Sequence, residues 1–399
     1  MRYVSISLAR NPPYERTGGT AGSARPVVVF VSPVADRKGG AETVLLDMLR
    51  NPAIRPVLAV PEDGQLAAMA AAMGITVERY DLGAVAAVRR PLRTADALRA
   101  ARDAVRAARR IASIARATDA AIVHTNGLKV HMIGCVARLM RGTPLVVHQH
   151  DVPYTAAERA IWRLFLHAAR RTIAANDICL PPHGPRAARR AGVVLQGLPG
   201  APAEAPRSLP ARPVLGFIGR VHPFKGVHLL LDWFEAAAAR HPHITLLLHG
   251  NFSDEGAAYW AGMQPRFDRL VAAGRCRIEC WGPLGKDPFE GIDILTAPSA
   301  VPEAGPRVIM EAMLRGIPAI GALSGGALRM IPSPEHGGKA ADREGFLGEL
   351  DRLLDPASYA AVSAAALAHA RTAFGIERFW HDIDAEYAAM LGEPRTAAA

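Results

Sequence analysis

One local pattern occurs twice in this chain, on either side of a proline-rich break, and it constrains the fold more than any other feature. Short apolar runs rich in β-branched residues alternate with segments of helical periodicity. Residues 26–33 (PVVVFVSP) read as a buried parallel strand. They lead through Asp36, Gly39, Gly40 and Glu42 into a helical pattern over 43–49, which completes the first half of a βαβ unit. Strands follow at 57–60, 76–80, 121–124 and 144–148, with helices at 65–73 and 130–140 and a basic helix before 121. This alternation predicts an open, mostly parallel sheet with helices on both faces.

Residues 196–213 (QGLPGAPAEAPRSLPARP) have no periodicity and read as an interdomain linker. The alternation then restarts. Strands are expected at 214–218, 244–248, 277–281, 294–297 and 319–322. Helices are expected at 228–239, 259–272, 307–315, 345–354, 358–372 and 376–391. At 399 residues the chain is long for one domain. The predicted organisation is a leader over 1–26, a first Rossmann-like domain over 27–195, the linker, a second such domain over 214–375, and a helix over 376–391 that crosses back to the first. Two such domains leave a cleft where the strand ends face each other.

The leader lacks an apolar segment and carries Arg2, Arg10 and Arg16 among Gly, Ser, Thr and Pro, so it reads as disordered and not as a signal peptide. No apolar run approaches the ~20 residues of a membrane span. The expected location is cytoplasmic, or peripheral on the inner face of the cytoplasmic membrane. Cys135, Cys179, Cys276 and Cys280 form no Cys-x-x-Cys pair and read as free thiols. The net charge is +10, which suits anionic partners. Arginines crowd into residues 89–116, and Arg99, Arg102, Arg106 and Arg110 recur at helical spacing opposite Leu98, Val105 and Ile111. That stretch reads either as a solvated helix face or as a surface for anionic lipid. It has no interleaved aromatics, which argues against nucleic acid.

The residues with the most chemistry are Glu303 and Glu311, eight positions apart, the first in a Pro/Gly-rich loop and the second early in an apolar helix. Carboxylates accept hydrogen bonds from sugar hydroxyls, and a helix start offers N–H groups to phosphate. Such a pair suits a nucleotide-sugar. Arg220 and Lys225, just past the first strand of the second half, can neutralise a departing diphosphate. Gly39 and Gly40 permit close backbone approach, or form a tight turn.

Taken in order, these landmarks resemble the retaining glycosyltransferases of family 4, which have the two-Rossmann GT-B fold. The resemblance spans about residues 27–391. It rests on Gly39-Gly40-Ala41-Glu42, His124-Thr125-Asn126, His148-Gln149-His150-Asp151, Gly219-Arg220, Lys225-Gly226, Glu303 to Glu311, and Gly325-Gly326. It implies transfer of a hexose-type sugar from a nucleoside diphosphate sugar to a saccharide or lipid-linked acceptor, with no cofactor and no obligatory metal. It also implies that Arg220 and Lys225 bind the diphosphate, Glu303 the sugar and Glu311 the ribose, that the backbone N–H groups of Arg307 and Val308 meet phosphate at the helix start, and that Gly39 and Gly40 close over the donor.

Two departures stand out. The family's Glu-Pro-Phe-Gly is here Glu303-Ala304-Gly305-Pro306, and an acid common three residues after the glycine pair is here Arg329. The acceptor-side base is left open. Asn126 stands where many relatives have histidine. His131 could supply the imidazole, with His124, His150 and Asp151 as alternatives at strand ends. The expected catalytic set is His131, Glu303, Arg220 and Lys225. An epimerase or hydrolase of the same fold, or a nucleotide-sugar-binding protein without activity, is the other reading. A dehydrogenase is excluded because no Gly-x-Gly-x-x-Gly loop follows the first strand of either half.

Overall fold

A computed structural model describes residues 25–36, 39–87, 94–182, 184–252, 256–280 and 287–392. The leader up to residue 24 and Arg89, Arg90 and Arg93 lie outside the described residues. The first domain is built on seven parallel strands: β1 (Val27–Val31), β2 (Arg55–Val60), β3 (Thr76–Arg79), β4 (Ile122–Asn126), β5 (Leu145–Gln149), β6 (Arg171–Ala174) and β7 (Ala191–Val193). They lie in the order β3-β2-β1-β4-β5-β6-β7. The second domain has β8 (Val214–Arg220), β9 (Thr245–Asn251), β10 (Cys276–Cys280), β11 (Ile294–Ala297), β12 (Ala319–Ala322) and β13 (Gly338–Ala340), in the order β10-β9-β8-β11-β12-β13. Both orders reverse beside the first strand, the point at which doubly wound sheets bind ligands.

The central strands are apolar on both faces because helices cover both faces. All five residues of β1 are buried. On one side of the first sheet Val29, Val31, Val123 and Val147 pack under Ile111, Ile133 and Trp162 of the helices Thr94–Ala117, Leu128–Arg141 and Ala156–Ala168. On the other side Val28, Phe30 and Val146 pack under Leu45 of the helix Gly40–Leu49. Phe379, Ile383, Tyr387 and Met390 of the last helix, Ile376–Gly392, join this second cluster. The last helix is therefore part of the first domain's core.

The linker and the start of that helix run side by side. Leu198 and Gly375 form a parallel bridge, and Leu198 N donates to Phe374 O at 2.8 Å. The sequence reading contained no helix over Ala156–Ala168 and no β6, β7 or β13. The three strands are short, and Arg171, Gly192, Gly338 and Lys339 fall within them, so they lack the apolar run that marks a buried strand.

Candidate active site

The second domain brings its charged residues together through two loops. Arg220 ends β8 and is exposed, with no ion-pair partner among the described residues. A short 3-10 turn, Pro223–Lys225, follows. Gly226 then takes φ +71°, and a Cβ there would collide with Pro298 O. Only glycine allows this approach, and it seats the Lys225 turn against the loop after β11, where Ala300 N donates to Phe224 O at 2.9 Å. The result is an ion pair between Lys225 Nζ and Glu303 Oε2, with Ser299 Oγ donating to Glu303 Oε1.

The glycine pair downstream supports the same loop. Gly325 has φ +62°, and a Cβ on it would lie 2.6 Å from Glu303 O. Gly326 N donates to that carbonyl at 2.7 Å. Glu303 thus stands on a backbone fixed from both sides.

Pro306 caps the helix Arg307–Leu314. The N–H groups of Arg307 and Val308 make no backbone hydrogen bond among the described residues, as expected for a first helical turn. Glu311 lies one turn further, its carboxyl pushed upward by burial and drawn back by the Arg307 guanidinium. Arg307 Nε donates to Glu311 Oε1 at 3.1 Å.

The first domain closes over this loop. Tyr154 Oη donates to Pro302 O at 2.6 Å. Ala304, buried, packs with Ala174 and Cys179 of the first domain. Arg329 Nη2 reaches Asp177 Oδ2 at 2.8 Å, and Arg307 Nη2 reaches Asp47 Oδ2 at 2.8 Å. The residues at both departures from the family pattern, Ala304 and Arg329, therefore make contacts between the domains. Asp47, Tyr154 and Asp177 were not singled out from the sequence, because their partners lie more than a hundred residues away.

Gly39 and Gly40 sit exposed at the start of the Gly40–Leu49 helix. Gly39 is extended, with φ −168°, and a Cβ on Gly40 would meet nothing within 4 Å. The turn itself therefore does not demand glycine at either position.

The acceptor-side candidates separate sharply. His131 is a correction: its ring lies fully buried against Trp162 and Phe165, with Nδ1 2.8 Å from Thr125 Oγ1, so it does not reach the cleft. It belongs to the far side of the sheet because the helix presents it inward. His124 is likewise in the core, 2.7 Å from Tyr387 Oη and 3.2 Å from His148 Nδ1. Burial, with a smaller contribution from His150, pushes its pKa down to about 3. His150, by contrast, is only partly buried at the end of β5, with Nε2 2.6 Å from Asn126 Oδ1. Asn126 Nδ2 donates onward to Ala41 O at 3.2 Å, tying His150 to the Gly39-Gly40 turn. Burial lowers the His150 pKa to about 4, so its ring is neutral at pH 7. Asp151 is exposed beside it.

Comparison with known proteins adds the following. Residues 212–356, most of the second domain, match the family described as Glycosyl transferases group 1. A crystal structure of Anabaena Alr3699/HepE in complex with UDP aligns at a TM-score of 0.72 and 20% identity, covering 91% of this chain and 99% of that one. A glycosyltransferase from Rickettsia africae aligns at 0.73 and 14% identity, covering 93% and 100%. The apo form of the lipopolysaccharide outer core galactosyltransferase WaaB aligns at 0.65 and 17% identity, covering 90% and 98%. The chain has the GT-B fold that the resemblance implied.

Proposed function

We propose that this protein is a glycosyltransferase that moves a sugar from a nucleoside diphosphate sugar to an acceptor hydroxyl, with retention of configuration. The observation that carries the proposal is the joining of Lys225 to Glu303 by the Gly226 and Gly325 approaches, with Glu311 eight residues on in the same helix–loop unit. In this reading Arg220 and Lys225 face the diphosphate, whose charge grows as the sugar departs. Lys225 is already beside Glu303, so the sugar hydroxyls that Glu303 accepts from are placed next to the phosphate. The free N–H groups of Arg307 and Val308 meet the phosphate at the helix start. Glu311 holds the ribose. Gly39 and Gly40, with room for a ligand and no turn to satisfy, close over the donor. His150, held by Asn126, orients the acceptor hydroxyl, whose proton passes to the donor phosphate.

Replacing Lys225 by Ala is expected to lower kcat by about a hundredfold or more, the scale for removing one preorganised group from developing negative charge. Glu311→Ala is expected to weaken donor binding. Full transfer rates in either variant would overturn the assignment, as would sugar turnover that needs no acceptor. Because Arg220 and Lys225 supply the positive charge, activity is expected to survive EDTA; loss of activity that Mg²⁺ restores would overturn that part. Thermal stabilisation by a panel of nucleotide-sugars identifies the donor.

The proposed acceptor is a lipid-linked saccharide at an anionic membrane surface, in polysaccharide or glycolipid assembly. Three observations support it, and they shift the surface away from the arginine stripe read in the sequence. Arg102, Arg106 and Arg110 pair with Asp103, Asp81 and Glu78. Arg109 and Arg116 are exposed without ion-pair partners among the described residues, and they share one helix face with Leu98, which is 77% exposed instead of buried. The neighbouring helix Leu128–Arg141, which has no acidic residue, exposes Met132, Leu139 and Met140 along one side. Among the described residues no helix is long and apolar enough to cross a membrane.

A further inference from the structure

The roles proposed above use only the backbone of Arg307, yet its side chain has three partners in three different parts of the molecule. Nε donates to Glu311 Oε1 at 3.1 Å within the second domain. Nη2 donates to Asp47 Oδ2 at 2.8 Å in the first domain. Nη1 donates to Gly197 O at 3.3 Å in the linker. Asp47 is a firm anchor. It is 1% exposed, its other oxygen accepts from Arg50 at 3.1 Å, and its carbonyl accepts from Trp380 Nε1 at 2.8 Å.

We propose that Arg307 is a positioning residue that presents Glu311 to the nucleotide ribose only while the two domains are closed, with Asp47 as its anchor. The inference rests on the reading of Glu311 as the ribose ligand. A guanidinium is a rigid planar fork, so holding its two terminal nitrogens fixes the direction of Nε. With Nε on Oε1, Glu311 Oε2 has no hydrogen-bond partner among the described residues and is left for a ribose hydroxyl. If the domains part, Arg307 loses Asp47. Its fork is then free to take both oxygens of Glu311, the bidentate geometry that carboxylates favour. Ribose and the closed cleft thus select the same arrangement of one side chain.

The test uses the nucleoside diphosphate among UDP, GDP and ADP that binds the full chain tightest, and its 2′,3′-dideoxy form, both measured by calorimetry. Asp47→Asn is expected to weaken the ribose form about tenfold, a coupling of ~1.4 kcal/mol, and to leave the dideoxy form within about twofold. Arg307→Lys, which keeps charge but loses the fork, is expected to do the same and serves if Asp47→Asn does not fold. Glu311→Gln is expected to erase the preference for the ribose form. Equal weakening of both ligands by Asp47→Asn and Arg307→Lys, with Glu311→Gln behaving as expected, overturns the positioning role alone. A ribose preference that survives Glu311→Gln overturns the ribose assignment and the inference with it.

Discussion

His124 and His150 are buried to different degrees and serve different ends, but both are neutral at pH 7. Burial takes their pKa values to about 3 and about 4. His131 and His148 are pushed down for the same reason. An unfolded histidine titrates near 6.5, so below that pH the unfolded chain binds protons that the folded one does not. Stability is therefore expected to be complete above about pH 6.5 and to fall as pH drops from there toward 4, by up to about 1.4 kcal/mol per pH unit for each such histidine. The raised carboxyls of Asp47 and Glu311 act in the opposite direction. Urea unfolding across pH 4–8 measures the slope, and a flat profile would contradict the burial of these rings. At the same scale, Gly226→Ala is expected to cost about 1–3 kcal/mol, since φ +71° and Pro298 O both oppose a Cβ. Transfer should fall with it as the Lys225 turn lifts from Glu303. Gly226 and Gly325 were legible as motif glycines, but the carbonyls they accommodate were not.

At the scale of elements, the helix Thr94–Ala117 shows how far a period can be read. That it is an arginine-rich helix was evident from spacing, but its bounds were not. Of Leu98, Val105 and Ile111, read as its apolar side, only Ile111 is fully buried, while Leu98 is exposed and the buried face runs through Ala107 and Ala115. Which arginines remain free was not evident, since Asp81 and Glu78 come from other segments. The exposed apolar side of Leu128–Arg141 was also missed, because a run that is buried on one side and apolar on the other reads simply as core. Leu139 is 81% exposed, so Leu139→Glu is expected to leave thermal stability within about 0.5 kcal/mol. It should reduce flotation with anionic liposomes, as should Arg109→Glu. Binding unchanged by both substitutions, or insensitive to salt, would point to a soluble acceptor.

At the scale of the whole molecule, two parallel sheets and a linker follow from alternation and proline content, and so they were visible in the chain. The closed cleft was not. Its contacts, Asp47–Arg307, Asp177–Arg329 and Tyr154–Pro302, are ordinary charged or aromatic residues whose meaning depends on how two domains meet. The side-by-side run of Leu198 and Gly375 has a consequence for what counts as a domain here. The stretch up to residue 195 is incomplete on its own. Without Phe379, Ile383, Tyr387 and Met390 it would bare the apolar face they cover, and as an isolated fragment it should aggregate. The chain leaves and re-enters this body at adjacent points, so a shortcut from residue 197 directly to 376 should restore a soluble, cooperatively melting protein with the second domain removed entirely. In that sense the second domain is an insertion into the first, and the last helix is the closing piece of the structure that the first strand begins.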